Sequence, residues 1–308
     1  MDKIIEESRK IDWTEKDLSG DISISFLVPK NHKRFSEIKN YQLKVGSLKN
    51  FNFSNGDLVL VDSGVKDYIN ESALKNVTIK YLKPSEGELK TLNSVNKLLS
   101  ELRNENFKRV ISIGGGIIIN VSSYIAEQLK VDLVLFPTSL IAMCDASIGG
   151  HVLVNDIKDG KFAKHAYKTF YEPNEIILDP VFIEYIPEKW IRLGLAETIK
   201  HAIYQSELLM NYLLSDNFQP FSDKKSLLRA ILWTADLKRV CLEIDPEQSK
   251  DGSYFIIRAG HDISDKMEEE SNFTLNHGDA VEKAMLEDLA SDPERLSLLK
   301  AIYLKIGI

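Results

Sequence analysis

The pattern of apolar and polar positions changes near residue 179. Before it, short runs rich in Val, Ile and Leu alternate with amphipathic segments. The predicted elements are strands at 57–64, 109–116 and 132–139 and helices at 88–106 and 120–130. This alternation is typical of a parallel sheet. After residue 179, apolar positions recur at helical spacing over 187–214, 225–244 and 293–307. We therefore predict an α/β domain over 1–178 and an all-helical domain over 179–308.

Composition and charge narrow the class of protein. The chain has 308 residues, 44% of them hydrophobic, which indicates a globular protein with a proper core. The net charge of −7 gives no support for a nucleic-acid or anionic-membrane partner, because both require a basic surface. The polar first twenty residues predict a loosely attached arm and no signal peptide, so we expect a cytoplasmic protein. Cys144 and Cys241 are expected to be buried thiols.

A glycine-rich segment, SIGGGIIIN at 112–120, lies where a predicted strand leads into a helix. Glycines at such a turn let a ligand approach the backbone, and the start of a helix offers N–H groups to a pyrophosphate. The segment does not have the Gly-x-Gly-x-x-Gly spacing that is typical of dinucleotide-binding folds. A tight turn without a ligand would also account for it.

A second group of candidates lies in the helical half. Glu197 and Lys200 are three residues apart on one predicted helix, which is the spacing of an ordinary surface ion pair. His261 and His277 are two of only six histidines in the chain. One carboxylate and two imidazoles would suit a zinc ion with an open fourth position, as in catalytic sites.

Eight segments resemble the 3-dehydroquinate synthase family of sugar-phosphate cyclases. They occur in the family's order, from about residue 55 to the end of the chain. The segments are PSEGELKTL (84–92), GGGIIIN (114–120), FPTSLIAMCDASIGGHVLVN (136–155), KHAYKTFYEP (164–173), GLAETIKHAI (194–203), KRVCLEID (238–245), GHDISDK (260–266) and NHGDAV (276–281).

The resemblance implies a Rossmann-like α/β domain that binds NAD, an all-α metal-binding domain and a homodimer. It also implies zinc, or cobalt in its place, held by Glu197, His261 and His277. The catalytic positions that match the family are Lys200, Lys238, Asp145 and Lys164. The positions implied for NAD are Gly114, Gly115, Gly116, Asn120, Thr138, Ser139, Asp145 and Glu88, with Glu86 as the alternative to Glu88.

The chain departs from the family mainly where substrate anions would bind. A lysine of the family becomes His151, and its following Lys-Asn pair matches either Lys164-His165, which needs no gap, or Lys161-Phe162. The expected arginine and asparagine before His261 are Tyr254 and Arg258, and a second histidine is Asp265. We therefore expect an altered substrate, with a different anion clamp formed by His151, His165, Arg258 and Lys130.

The reaction implied by the resemblance is a phosphate-eliminating cyclisation, which makes the protein a carbon–oxygen lyase. An alcohol of a sugar phosphate is transiently oxidised by NAD, phosphate is eliminated, the ketone is reduced, and an aldol step closes a carbocycle. An NAD-dependent metal polyol dehydrogenase would stop after the oxidation. A non-catalytic relative would keep the metal as a structural or partner-binding feature.

Overall fold

The computed structural model describes residues 1–30, 37–70, 74, 77–158, 161–272 and 274–307. The chain folds into two compact units. One unit comprises Ile22–Leu27 and Lys39–Phe182, and the other comprises Met1–Asp21, Val28–Ile38 and Ile183–Ile308. An α/β unit with a parallel sheet and a helical unit confirm the predicted fold class. The division into domains at 178/179 stays a prediction.

A seven-stranded sheet forms the centre of the α/β unit, in the order β1-β2-β9-β6-β5-β3-β4. The six strands from β2 to β4 in that order pair in parallel. The strands are β1 (Ser23–Val28), β2 (Lys39–Val45), β3 (Asp57–Asp62), β4 (Thr78–Leu82), β5 (Arg109–Gly114), β6 (Asp132–Pro137) and β9 (Glu175–Leu178). Central strands β3, β5 and β6 are buried almost throughout, which explains their continuous apolar runs.

Two helices and a hairpin complete this unit. They are α2 (Leu92–Leu102), α3 (Gly116–Leu129) and the antiparallel strands β7 (His151–Lys158) and β8 (Lys161–Phe170). Helix α2 begins at Leu92 rather than at 88, because the Thr91 side chain accepts a hydrogen bond from Ser94 N–H. Helix α3 begins four residues before the predicted start at 120. The hairpin was not predicted from the sequence.

The helical unit contains α1 and the helices from α5 to α11. Their bounds are α1 (Asp2–Ser8), α5 (Glu188–Tyr204), α6 (Glu207–Leu214), α7 (Lys224–Ile244), α8 (Tyr254–Ile257), α9 (His261–Glu270), α10 (His277–Asp288) and α11 (Pro293–Ile306), with α4 (Pro180–Tyr185) preceding α5. The single helix predicted over 187–214 is divided in two. The Ser206 hydroxyl caps α6 by accepting from Leu209 N–H at 3.2 Å. None of the described helices is long and apolar enough to cross a membrane.

The N-terminal segment is docked, so the prediction of a loosely attached arm is wrong. Ile4 and Trp13 are buried, and Trp13 Nε1 donates to Asp236 of α7 at 3.0 Å. Trp233 of the same helix donates from Nε1 to the Ile11 carbonyl at 3.1 Å. Two large apolar side chains in a polar stretch are enough to bury the segment. Both cysteines are free and buried, as expected.

Glu282 on α10 predicts a pH-dependent stability. Its side chain is 8% exposed, and within the described residues Oε1 has no hydrogen-bond partner. Burial, with Asp279 nearby, raises the pKa of Glu282 to about 7. Because this value lies above that of the unfolded chain, its contribution favours folding at low pH and is lost as the pH rises through 7. We expect Glu282→Gln to stabilise the protein by about 1–3 kcal/mol at pH 8.

Urea unfolding at pH 5 and pH 8 measures this effect. At pH 5 the increase in unfolding free energy of the glutamine variant should be much smaller, because Glu282 is then largely protonated in the folded protein. Glu287→Gln, an exposed position on the same helix, is the matched control and should change little at either pH. An equal increase in unfolding free energy for Glu282→Gln at both pH values would contradict the raised pKa of Glu282.

Candidate metal centre

Three helices bring Glu197, His261 and His277 together. Glu197 lies in the middle of α5, whereas His261 and His277 are the first residues of α9 and α10. Glu197 Oε1 lies 3.3 Å from His277 Nε2 and 3.6 Å from His261 Nε2. One potential ligand atom from each residue lies within 4.8 Å of the other two. The structure therefore places all three residues predicted for the metal in one cluster.

Two glycines make this approach of helices possible. Gly260 has φ +70° and precedes His261, so the backbone can turn sharply into α9. Gly278 follows His277, and a Cβ at that position would lie 2.4 Å from the Leu193 carbonyl oxygen of α5. Any larger residue at 278 would push α10 away from α5 and separate His277 from Glu197.

The donor set and its spacing fit a zinc ion. Ligand atoms about 2.0–2.1 Å from a tetrahedral zinc lie about 3.4 Å from one another, close to the separations observed here. Glu197 is fully buried, whereas 31% of the His277 side chain is exposed. Three protein ligands with one accessible side correspond to a catalytic rather than a structural zinc site.

Glu197 is held by a buried cation. Lys200 lies one turn along α5, is 1% exposed, and donates from Nζ to Glu197 Oε2 and, at 2.8 Å, to the Ile257 carbonyl. Burial alone would raise the pKa of Glu197, but Lys200 and the hydrogen bond from His277 hold it well below the usual value. The pair predicted from its i,i+3 spacing is therefore present, but it is buried in the centre rather than solvated.

A fourth side chain, Glu268 on α9, supports His277. Glu268 is 4% exposed, and its Oε1 lies 2.9 Å from His277 Nδ1. Burial by itself would lower the pKa of His277, but its contacts with Glu197 and Glu268 raise it to about 9. Burial and the Lys200 cation lower the pKa of His261 to about 4. Glu268 thus orients His277 so that Nε2 points towards Glu197.

Glu268→Gln is expected to weaken zinc binding by about 10–100-fold, the usual effect of losing a carboxylate behind a metal-bound histidine. The glutamine keeps an oxygen that can accept from Nδ1, but it lacks the charge that makes the imidazole a stronger ligand. The dissociation constant is measured by competition with a chromophoric chelator.

Glu270→Gln is the matched control, since Glu270 is exposed two residues further along α9. It should bind zinc with the wild-type dissociation constant. An unchanged affinity in Glu268→Gln, or an equal loss in both variants, would contradict the role given to Glu268.

The glycine turn lies between β5 and α3. Gly114 accepts at its carbonyl from Thr138 N–H at 3.0 Å, and a Cβ on Gly115 would lie 3.2 Å from Ser139 Oγ. Thus Gly114 and Gly115 lie against Thr138 and Ser139, whereas Gly116, the first residue of α3, faces Ala146, whose Cβ would lie 3.4 Å from a Cβ at 116. In the part of the chain that the structure describes, no side chain caps α3, so its first turn suits a phosphate.

The other residues predicted for NAD lie outside the glycine turn itself. Asn120 donates from Nδ2 to the Gly116 carbonyl at 2.9 Å and accepts at Oδ1 from Leu153 N–H at 2.7 Å. Asp145 lies in a π-helical turn at Ala142–Ala146. Glu86 pairs with Lys90 at 3.2 Å, whereas Glu88 is exposed. The choice between Glu88 and Glu86 for a ribose stays a prediction.

The residues predicted for the substrate, with the predicted catalytic lysines Lys164 and Lys238, fall on or beside four elements, β7, β8, α7 and α8. His151 begins β7, with its ring 4.8 Å from that of Phe170. His165 and Lys164 lie on β8, where His165 N–H donates to Asn155 Oδ1 at 3.0 Å. The remaining two lie in the helical unit: Lys238 is buried on α7, and Arg258 follows α8.

Family models of 3-dehydroquinate synthase match most of the chain. The model of its N-terminal part matches residues 80–193, and the model of its C-terminal part matches residues 194–301. The 3-dehydroquinate synthase of a Sulfurovum species is 27% identical over 256 residues, covering 80% of this chain and 71% of the relative. That of Sulfurisphaera tokodaii is 32% identical over 195 residues, covering 62% of this chain and 54% of the relative. The chain thus spans little more than half of some of its relatives.

Solved structures with the same fold include two cyclases. A 2-deoxy-scyllo-inosose synthase complexed with carbaglucose-6-phosphate, NAD+ and Co2+ has a TM-score of 0.74 at 19% identity, covering 93% of this chain and 81% of the other. A 2-epi-5-epi-valiolone synthase from Streptomyces hygroscopicus with NAD+ and Zn2+ has a TM-score of 0.72 at 20% identity, covering 90% and 84%. An iron-containing alcohol dehydrogenase gives a lower TM-score of 0.58 at 13% identity, covering 82% and 79%.

Proposed function

The chain belongs to the 3-dehydroquinate synthase family, and from that membership we propose that it is an NAD- and zinc-dependent sugar-phosphate cyclase. Its reaction would be a carbon–oxygen lyase reaction that eliminates phosphate and closes a carbocycle, on a substrate other than the heptulosonate phosphate of 3-dehydroquinate synthase. The homodimer and the cytoplasmic location implied by the resemblance stay predictions.

The observation that supports this proposal most strongly is the cluster of Glu197, His261 and His277. Zinc bound by these residues would act as a Lewis acid on the alcohol and carbonyl oxygens of the substrate. The partly exposed His277 leaves one side of the cluster accessible to such an oxygen. Cobalt is proposed as the alternative to zinc, since the 2-deoxy-scyllo-inosose synthase structure is a complex with Co2+.

The chain's own residues would mainly bind the substrate and orient the groups of the metal centre. Lys200 fixes Glu197 through a hydrogen bond, and Glu268 fixes His277. Lys200 also anchors the Ile257 carbonyl, which ties α8 to the centre. Rigid placement of reacting groups is a large part of catalysis when a cofactor supplies the redox chemistry. Lys238, Asp145 and Lys164 are proposed as the other polar groups of the reaction.

NAD is proposed to bind with its pyrophosphate at the first turn of α3, and its nicotinamide ring would supply the hydride-transfer chemistry. Gly114, Gly115 and Gly116 add no side chains of their own to that turn. The side chain of Ile119, where the family has a glycine, is 1% exposed and packs into the core. It therefore does not project into solvent at the turn. Glu88 is proposed to contact the ribose.

Phosphate release tests the proposed reaction. Zinc-loaded protein with NAD+ is incubated with heptulose, heptulosonate and hexose phosphates, while phosphate and NADH are followed together. A cyclase releases phosphate without accumulating NADH, because the hydride returns to the substrate. A metal-stripped sample and Glu197→Gln are the negative controls.

Each alternative gives a different result. NADH that accumulates without phosphate release would contradict the cyclase and indicate a polyol dehydrogenase. Neither phosphate nor NADH from any substrate, together with no NAD+ binding by tryptophan fluorescence, would indicate a non-catalytic relative.

A further inference from the structure

Arg258, next to the metal centre, lies between two acidic side chains. Its Nη2 donates to Asp265 Oδ2 at 2.9 Å and to Asp262 Oδ1 at 3.1 Å. The Tyr254 hydroxyl donates to both oxygens of Asp262, at 3.1 and 3.0 Å. We refer to Tyr254, Arg258, Asp262 and Asp265 as the arginine cluster. One guanidinium between two carboxylates leaves this cluster with a net charge of −1.

The arginine cluster borders the metal centre through two connections. Asp265 is one helical turn after His261 on α9, so both side chains lie on the same face of that helix. Ile257, which immediately precedes Arg258, is bonded through its carbonyl to Lys200. The positive charge of Arg258 also contributes to the lowered pKa of His261. The arginine cluster is therefore a neighbour of His261 and Lys200 in the metal centre.

The charges of the cluster disfavour an anion and favour a hydroxyl. About a fifth of the side chains of Arg258 and Asp265 is exposed, 23% and 22%, so a ligand can reach them. The charge of Arg258 is already balanced by the carboxylates, and a further carboxylate placed there would be repelled by the negative charges of Asp262 and Asp265. A hydroxyl can donate to an aspartate oxygen and accept from a phenol or guanidinium N–H.

We propose that the substrate presents an uncharged hydroxyl-bearing carbon, and not a carboxylate, to the arginine cluster. The substrate class is then a neutral ketose phosphate rather than the phosphate of a keto acid. Asp262 and Asp265 are the residues that determine this specificity, and Arg258 acts by orienting them. This inference rests on the proposed function and names its substrate class.

The test compares two seven-carbon ketose phosphates that differ beside the ketone, where one ends in a hydroxymethyl group and the other in a carboxylate. Dissociation constants are measured by calorimetry for the zinc- and NAD+-loaded full chain, and phosphate release is measured in parallel. We expect the wild type to bind the neutral form at least tenfold more tightly. Asp262→Asn with Asp265→Asn should move this preference at least tenfold towards the carboxylate, because Arg258 then has an unbalanced charge.

Two further variants serve as a control and as an independent test of the charge balance. Glu270→Gln, on the exposed side of α9, is the matched control and should keep the wild-type preference. Arg258→Gln leaves two carboxylates without their cation and should strengthen the preference for the neutral form. This variant tests the same charge balance from the opposite side if the double aspartate variant does not fold.

The outcomes separate this inference from the proposed function. Tighter binding of the carboxylate form by the wild type, or an unchanged preference in the folded double variant, overturns the inference even if a cyclase reaction is found. Preferential binding of the neutral form without phosphate release supports the inference and contradicts the cyclase. Failure to bind either form contradicts both.

Discussion

Replacement of His277 by alanine is expected to reduce zinc affinity by more than about 100-fold, since even a carboxylate behind a ligand contributes 10–100-fold and His277 is proposed as a ligand itself. It should also remove the stabilisation that zinc gives the folded chain, about 2.7–4.1 kcal/mol at 100–1,000 times the dissociation constant. Its imidazole also lies between Glu197 and Glu268, so the variant leaves two buried carboxylates without their shared partner.

Zinc content by elemental analysis and thermal unfolding with and without a chelator measure both effects. His151→Ala is the control, because His151 lies on the β7–β8 hairpin of the α/β unit and should not affect zinc content. A His277→Ala protein that retains one zinc per chain and still loses stability on chelation would remove His277 from the metal centre.

Replacement of Lys200 by methionine is expected to cost about 3–5 kcal/mol of unfolding free energy in the metal-free protein. The reason is that Lys200 is 1% exposed and is the cation bonded to Glu197 Oε2, which is itself fully buried. Zinc bound to Glu197 would supply a replacement charge. The cost should therefore fall by at least half at saturating zinc, with zinc still bound and turnover reduced.

Urea unfolding with a chelator or with saturating zinc measures this difference. Lys10→Met is the matched control, because Lys10 forms an i,i+3 pair with Glu7 that is exposed to solvent, and it should cost at most about 1 kcal/mol. In a double-mutant cycle, Glu197→Gln should remove most of the penalty of Lys200→Met. A penalty that is the same with and without zinc would place Lys200 outside the electrostatics of the metal centre.

The sequence predicts the parallel sheet well because its central strands are buried on both faces. Strands β3, β5 and β6 appear as continuous apolar runs and match the predicted segments to within two residues. The β7–β8 hairpin has no such signal, because β8 has no buried position and carries three lysines. The break between α5 and α6 depends on one capping hydroxyl, Ser206, inside a long apolar pattern.

The metal cluster is predictable from residue chemistry together with the family resemblance. The buried carboxylate of Glu268, which orients His277, is not predictable in this way. Glu268 is the first of three consecutive glutamates, which together look like a solvated helix face. Only the packing of α9 against α10 decides that Glu268 is buried and the next two are exposed. The signal that could have identified it is its spacing of seven residues from His261, which places both on one face of α9.

Arg258 is a residue whose chemical type is evident from the sequence but whose partners are not. A cation in place of a family asparagine predicts an anion site, but the sequence alone does not show which acids lie beside it. The pairing with Asp262 and Asp265 depends on how the chain turns from α8 into α9 at Gly260. The charges along the sequence therefore predict that the substrate differs from that of the family. Whether the group that binds beside Arg258 is charged or neutral depends on the local backbone.

X-ray absorption spectroscopy of the zinc-loaded protein tests most directly whether Glu197, His261 and His277 hold the metal. The expected spectrum has two imidazole nitrogens at about 2.0–2.1 Å, oxygen ligands at about 2.0–2.2 Å and no sulfur, with one zinc per chain. The same spectrum should lose one imidazole in His277→Ala. A sulfur ligand, an all-oxygen shell or a spectrum unaffected by that substitution would contradict the metal centre, and with it the proposed cyclase.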